Sequence, residues 1–213
     1  DTAPAAWCRP VAVVDGNLDR LMDNLMETKP TVIGAVPRVF EKAYNAIRTR
    51  AREAGGTKLK VFNWAMGIGK EVSELRQQGQ QPSGSLAVQF RMANRLVFSR
   101  LKEQFGGRIK YFVSGGAPLS KEIAEFFHAA DLLILEGYGL TESSAASVVN
   151  RPEAYRFGSV GRAVPGVELR IAEDGEVLLG GRGIMRGYYN LPEVTAETLT
   201  EDGWLRTGDI GTI

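Results

Sequence analysis

Arg108-Ile109-Lys110-Tyr111-Phe112-Val113 runs into Ser114-Gly115-Gly116-Ala117-Pro118, and Leu132-Leu133-Ile134-Leu135 runs into Glu136-Gly137-Tyr138-Gly139. Between them Ser120 can cap a helix that reaches about Ala130. Strand, glycine turn, helix, strand, glycine turn is the grammar of a parallel α/β sheet, whose ligands bind beyond the carboxyl ends of the strands. The two glycine turns are therefore expected side by side at that edge.

Working outward, Thr31-Val32-Ile33-Gly34-Ala35-Val36 reads as a further buried strand stopped by Pro37, followed by a helix from Arg38 to about Ala54. Gly55-Gly56 breaks that helix, and 57–78 and 85–105 read as two more. Upstream, Asn17 can cap a helix with Leu18, Leu21, Met22, Leu25 and Met26 on one side, ending before Pro30. After about residue 150 the segments shorten. Val167–Ile171 alternates, Asp174-Gly175 turns, and Glu176-Val177-Leu178-Leu179 returns as the second strand of a hairpin. Pro192–Leu199 reads as a short helix before Trp204-Leu205-Arg206-Thr207. The expected fold is α/β, a parallel sheet flanked by helices, followed by a small antiparallel β subdomain. Residues 1–150 form the first unit, with a helical insertion at about 43–105, and residues 151–213 form the second.

Composition agrees with a globular chain: of 213 residues, 44% are hydrophobic and 24% charged. Lys and Arg number 26 against 25 Asp and Glu, a balance that argues against a general nucleic-acid binder. Residues 1–105 carry net +6 and residues 106–213 net −5, so any basic surface lies in the first half. Cys8 is the single cysteine, which excludes an internal disulfide and points to a reducing, cytoplasmic setting. No apolar run reaches transmembrane length.

The chemical signals narrow by elimination. His128 and Cys8 are alone in their kinds, so no His/Cys metal cluster can form, and His128 reads as structural, its charge favourable to the end of its helix. No G-x-S-x-G, G-x-x-x-x-G-K-[ST] or G-x-G-x-x-G occurs, and the S-x-x-K of Ser99–Lys102 falls inside a predicted amphipathic helix without companion motifs. Three polar, glycine-rich constellations remain. Ser114–Leu119 lets a flat ring approach the backbone. Tyr138-Gly139-Leu140-Thr141-Glu142-Ser143 puts an aromatic face, a hydroxyl and a carboxylate within reach of a nucleotide and a hard cation. Thr207-Gly208-Asp209 ends a predicted strand with a carboxylate able to accept from a ribose diol. Singly, each is better explained by a tight turn, a core tyrosine or a helix cap.

Together and in this order, these motifs, with Gly175-Glu176 through Gly187-Tyr188-Tyr189, resemble the adenylate-forming superfamily of acyl-CoA synthetases, luciferases and peptide-synthetase adenylation domains. Val36-Pro37-Arg38-Val39-Phe40-Glu41-Lys42 and the long helical stretch resemble its long-chain fatty acyl-CoA synthetase branch. The resemblance implies that Gly115, Gly116, Ala117 and Pro118 line the adenine, that Tyr138 beside Gly139 stacks on it, and that Asp209 holds the ribose hydroxyls. It implies that Thr141 binds the α-phosphate and Glu142 ligates Mg²⁺, these two being the catalytic pair. ATP, a long-chain fatty acid and coenzyme A are the implied substrates, with AMP and pyrophosphate released.

The resemblance also implies parts outside these residues: a Ser/Thr/Gly-rich phosphate loop, an arginine after the Asp209 motif, a hinge, and a small domain carrying the adenylation lysine. The chain is accordingly expected to be an internal fragment of a longer ligase, with no useful turnover alone. A non-catalytic nucleotide-binding remnant, a ligase for another carboxylic acid, and a carrier-protein acceptor in place of coenzyme A stay open. Fatty acids are collected from bilayers, so the basic first half offers a surface for transient contact at the membrane periphery. Scattered solvated helix faces are the plainer reading of the same charges.

Overall fold

The computed structural model describes residues 21–213, so Cys8 and the Asn17 cap lie outside the described residues. Helix α1 (Leu21–Thr28) leads into β1 (Val32–Ala35), and Pro37 starts α2 (Pro37–Ala54) at a position where its missing N–H costs nothing. Helix α3 (Gly56–Gln77) follows directly. The stretch predicted as one helix over 85–105 is three pieces, α4 (Gly84–Ala93), a π turn (Asn94–Phe98) and α5 (Ser99–Gln104). Strand β2 (Tyr111–Ser114), α6 (Lys121–Ala129) and β3 (Ile134–Tyr138) complete the decisive βαβ unit.

Strands β1, β2 and β3 pair in parallel, with Ala35 beside Ser114 and Ser114 beside Glu136 at the carboxyl edge. Strands β4 (Val148–Val149) and β5 (Arg162–Ala163) extend this sheet antiparallel, giving the order β1-β2-β3-β4-β5. A separate antiparallel sheet contains β6 (Val167–Ile171), β7 (Glu176–Gly181) and β8 (Leu205–Ile210), with α7 (Pro192–Thr198) between its last two strands. Among the described residues no helix is long and apolar enough to cross a membrane.

One expected boundary moves. Leu132 is buried but not in β3, because its N–H bonds the Phe127 carbonyl and Asp131 takes a left-handed turn at φ 60°. The strand instead runs on through Gly137 and Tyr138, which were expected in the turn, because β4 pairs with both of them.

The main core centres on Phe112. Its ring meets Phe40 of α2 at 5.6 Å, Phe105 at 5.3 Å and Phe127 of α6 at 6.4 Å, all edge-on. Such contacts add to the area these rings remove from water. Helix α3 lies so close to α6 that a Cβ on Gly69 would stand 2.0 Å from the Ala129 carbonyl oxygen. Two turns further along α3, Arg76 pairs with Asp131 at 2.6 Å, and Lys102 of α5 pairs with the same carboxylate. Burial alone would raise the Asp131 carboxyl, but the hydrogen bonds from Lys102 and Arg76 outweigh it and hold it below its ordinary value.

His128 is 5% exposed and bonded on both ring nitrogens, Nδ1 to Ser73 Oγ at 2.7 Å and Nε2 to the Tyr155 hydroxyl at 2.9 Å. Its role is structural, as its sequence position suggests, but the ring is not a charged partner of the helix dipole. Burial, then the nearby Arg76 charge, push its pKa from 6.5 down to about 4.

The unfolded chain thus binds the His128 proton more readily than the folded one, and stability falls as pH drops from 6.5 toward about 4. The loss is on the order of 3 kcal/mol; urea midpoints measured across that window should show it, and His128→Asn should flatten the slope. For the helix contact, Gly69→Ala should lower stability by about 1–3 kcal/mol through overpacking. Gly67→Ala, where nothing lies within 4 Å, should stabilise α3 by about 0.5–1 kcal/mol in the same denaturation assay.

Candidate functional site

The parallel register brings two loops together at the carboxyl edge. Gly115 lies alongside β3, where a Cβ would meet the Gly137 carbonyl oxygen at 3.4 Å, an ordinary contact. Gly116 has φ 83°, a left-handed value that a side chain resists, and faces Val36 at the end of β1. Ala117 and Pro118 are exposed beyond it. The loop's far end is fixed from below: Leu119 N–H donates to Glu136 Oε2 at 3.2 Å.

Glu136 was read only as part of a turn, and the structure gives it a larger part. It is 7% exposed, its Oε1 has no hydrogen-bond partner, and the hydroxyl of its register partner Ser114 is equally buried and unpaired. Burial raises its pKa, partly offset by the N–H groups of Leu119 and Gly158. A carboxylate directly after the apolar run Leu132–Leu135 was the available signal.

Gly139 begins the next loop under compulsion, since a Cβ there would stand 1.8 Å from the Ala145 carbonyl oxygen. The loop closes through Ser143, whose Oγ accepts the Leu140 N–H at 3.0 Å, and through left-handed Ser144 and Ala145 at φ 60° and 87°. Two consecutive non-glycine residues at positive φ are costly and persist only where their surroundings impose them. Thr141 and Glu142 occupy the 3₁₀ turn Thr141–Ser143 so formed.

The segment that follows β7 reaches this loop at three points. Met185 N–H donates to the Glu142 carbonyl at 2.7 Å, Ser144 Oγ donates to the Gly183 carbonyl at 2.7 Å, and the Tyr188 hydroxyl donates to Glu142 Oε1 at 2.8 Å. Glu142's own N–H, then the Tyr188 hydroxyl, hold its carboxyl below the ordinary value. Gly187-Tyr188-Tyr189 is visible as a motif in the sequence, but its partnership with Glu142 spans 46 residues and has no local signal.

Asp209 was expected after a strand and lies within β8. The reason is a bulge. Glu176 pairs with Ile210 and Leu178 with Arg206, so Val177 alone faces Thr207, Gly208 and Asp209. Gly208, at φ 73°, donates to Glu176 Oε1, and Thr207 Oγ1 donates to the Val177 carbonyl, fixing the bulge. Asp209 is exposed and accepts a 2.6 Å hydrogen bond from the Tyr138 hydroxyl. Burial, then this carboxylate, push Tyr138 up to about 12, so the phenol stays neutral and keeps donating.

The sequence from residue 6 to residue 189 matches the family of AMP-binding enzymes. The chain belongs to that family. Relatives within it include a long-chain-fatty-acid–CoA ligase, FadD15, of Mycobacterium bovis, 39% identical over 92% of this chain and 32% of its own length. The human long-chain-fatty-acid–CoA ligase ACSBG2 is 36% identical over 94% of this chain and 30% of its own. This AMP-binding chain thus spans about a third of the curated relatives it matches. Among solved structures, apo MatB from Rhodopseudomonas palustris superposes with a TM-score of 0.57 at 22% identity, over 92% of this chain and 31% of that one. The N-terminal domain of FACL13 from Mycobacterium tuberculosis gives 0.56 at 21%, over 92% and 40%. These two likenesses concern the fold alone.

Glu136→Gln keeps an acceptor for Leu119 and removes a buried carboxylate. A raised carboxyl pKa means stability is lost as pH rises through it, so this variant should melt higher than the wild type at pH 7 and converge with it in acid. Glu136→Ala should instead lose about 1–3 kcal/mol by leaving the Leu119 N–H unpaired. Thermal melts of both variants across pH test the pair.

Proposed function

We propose that this chain is part of a fatty-acid–CoA ligase acting on long acyl chains. The observation that carries the reading is the convergence of Gly115–Pro118, Tyr138 and Asp209 at one sheet edge, in a chain whose relatives at 34–39% identity are named fatty-acid–CoA ligases. In this reading the backbone of Gly115–Pro118 reads the adenine edge, the Tyr138 ring lies against its face beside Gly139, and Asp209 accepts from the ribose hydroxyls. The fatty carboxylate attacks the α-phosphorus of ATP, the bond to the β-phosphate oxygen breaks, and pyrophosphate leaves an acyl adenylate. The coenzyme A thiolate then attacks the acyl carbon and releases AMP.

Thr141 donates to the α-phosphate as its charge rearranges, a stabilisation that counts most where donors are fixed beforehand. Among the described residues no three His, Cys, Asp or Glu side chains converge on a metal site. Glu142 suits Mg²⁺ nonetheless, because that ion takes one or two carboxylates and completes its shell from substrate phosphates and water. It would hold the ion and supply charge neutralisation there. Tyr188, whose hydroxyl donates to Glu142 Oε1, keeps that carboxylate ionised and aimed.

The test is fatty-acid-dependent ATP–pyrophosphate exchange by the full-length protein, with acids of increasing chain length. Asp209→Ala should raise the KM for ATP about 10- to 100-fold, the equivalent of one or two charge-assisted hydrogen bonds. Glu142→Gln should mainly lower kcat, by about 10²-fold or more, and shift the Mg²⁺ requirement upward. Nucleotide binding with no exchange for any carboxylic acid would mean a non-catalytic remnant, and exchange confined to short or aromatic acids would displace the long-chain assignment.

A further inference from the structure

Helix α7 buries none of its side chains, and its Val194 is exposed. A short helix ordinarily draws its stability from packing an apolar face, and α7 has none to pack. Its half-buried residues are Thr195 and Thr198, three apart and so on one face. Both meet the segment that precedes the helix. Thr195 Oγ1 accepts the Tyr188 N–H at 2.9 Å and donates to the Leu191 carbonyl at 2.8 Å. The Thr198 hydroxyl, which donates to the Val194 carbonyl at 2.8 Å, lies beside the Tyr188 hydroxyl. Gly187, at φ 145°, admits the threonine, since a Cβ there would stand 2.7 Å from Thr195 Cγ2. The helix thus grips Tyr188 by its backbone and flanks its hydroxyl, and that hydroxyl donates to Glu142 Oε1 at 2.8 Å.

We propose that Thr195 is a positioning residue for divalent-cation binding, acting through Tyr188 on the Glu142 carboxylate. The proposal rests on the reading of Glu142 as the ligand for Mg²⁺. A carboxylate on a loop has several rotamers, and a cation that must select one binds more weakly than a cation that finds it already set. Hydrogen-bond partners of a ligating carboxylate therefore carry a large share of metal affinity. Here that partner is 46 residues along the chain, so its aim depends on where Tyr188 itself is placed. Met185, whose N–H donates to the Glu142 carbonyl, fixes the near end of the segment, and Thr195 fixes the far end. A single oxygen, Thr195 Oγ1, ties Tyr188 to the first turn of α7. A helix kept only for structure would hold on through an apolar contact, whereas the face that α7 covers is polar and leads to Glu142.

The experiment is calorimetric titration of the full-length protein with α,β-methylene-ATP, whose α,β link cannot break, in saturating Mg²⁺ and in EDTA, without fatty acid. The ratio of the two dissociation constants reads what the cation adds. Thr195→Val keeps the shape and removes the hydroxyl, and should lower that ratio about tenfold while binding in EDTA stays at the wild-type value. Tyr188→Phe should do the same, the double variant should lose no more than Tyr188→Phe alone, and Thr195→Ser should restore the wild-type ratio. Thr195→Ala replaces the valine variant if that protein does not fold. An unchanged ratio in the folded variant, or equal weakening in Mg²⁺ and EDTA, would overturn the proposal and leave Thr195 a structural residue only. Additive loss in the double variant would overturn it too, since Thr195 would then not act through Tyr188. Glu142→Gln separates the two claims. A ratio that survives it removes Glu142 from the cation site and the proposal with it, whereas a ratio that it abolishes and Thr195→Val leaves intact faults Thr195 alone.

Discussion

The in-register parallel pairing of Ala35, Ser114 and Glu136 is the constraint on which the site depends. Strands β1 and β2 end at the same height while β3 runs on to Tyr138, so the backbone leaving β2 lies beside β3. Gly115 lies within contact distance of the Gly137 carbonyl, and Gly116 turns the chain away at a left-handed φ of 83°. The register is held in turn by Phe112 and Ile134 two residues earlier, which lie in one buried cluster with Phe40 of α2 and Phe127 of α6. A shift of one residue would turn Phe112 out of that cluster and bring Val113 in. Core packing and site geometry are thus one condition.

The second sheet contributes to the site through long-range polar contacts. Its own core is small, Val177, Leu179 and Leu205 with partly buried neighbours, and Tyr138 and Leu140 of the first unit pack against it. Tyr138 therefore has three parts: strand residue, core residue and hydrogen-bond donor to Asp209. Burial and the Asp209 carboxylate hold its phenol protonated, and that proton joins the two sheets.

Local pattern made most of this legible. The runs 31–36 and 108–113 alternate with helices whose starts Pro37 and Ser120 mark, and the elements appear close to their expected places. The Gly115–Pro118, Tyr138–Glu142 and Asp209 motifs could be picked out because glycine, aromatic and carboxylate residues cluster where strands end. What was illegible depends on partners far along the chain. Whether Tyr138 belongs to a turn or a strand is decided by Val148, the placement of Asp209 by an unequal pairing with Val177, and the hold on Glu142 by Tyr188. The charge state of His128 was likewise misread, since position at a helix end favours a cation while burial between Ser73 and Tyr155 forbids it.

The bulge in β8 has a consequence for assembly as well as for chemistry. Strand β8 is an outer strand of the three-stranded sheet, and outer strands offer unpaired amides to any extended peptide that passes. Three consecutive residues opposite one break the even ladder such a peptide would need, and the exposed charge of Asp209 discourages its approach. The irregularity that exposes Asp209 thereby also guards the sheet against templated pairing, so straightening β8 by deleting residues from the bulge would leave an even, sticky edge.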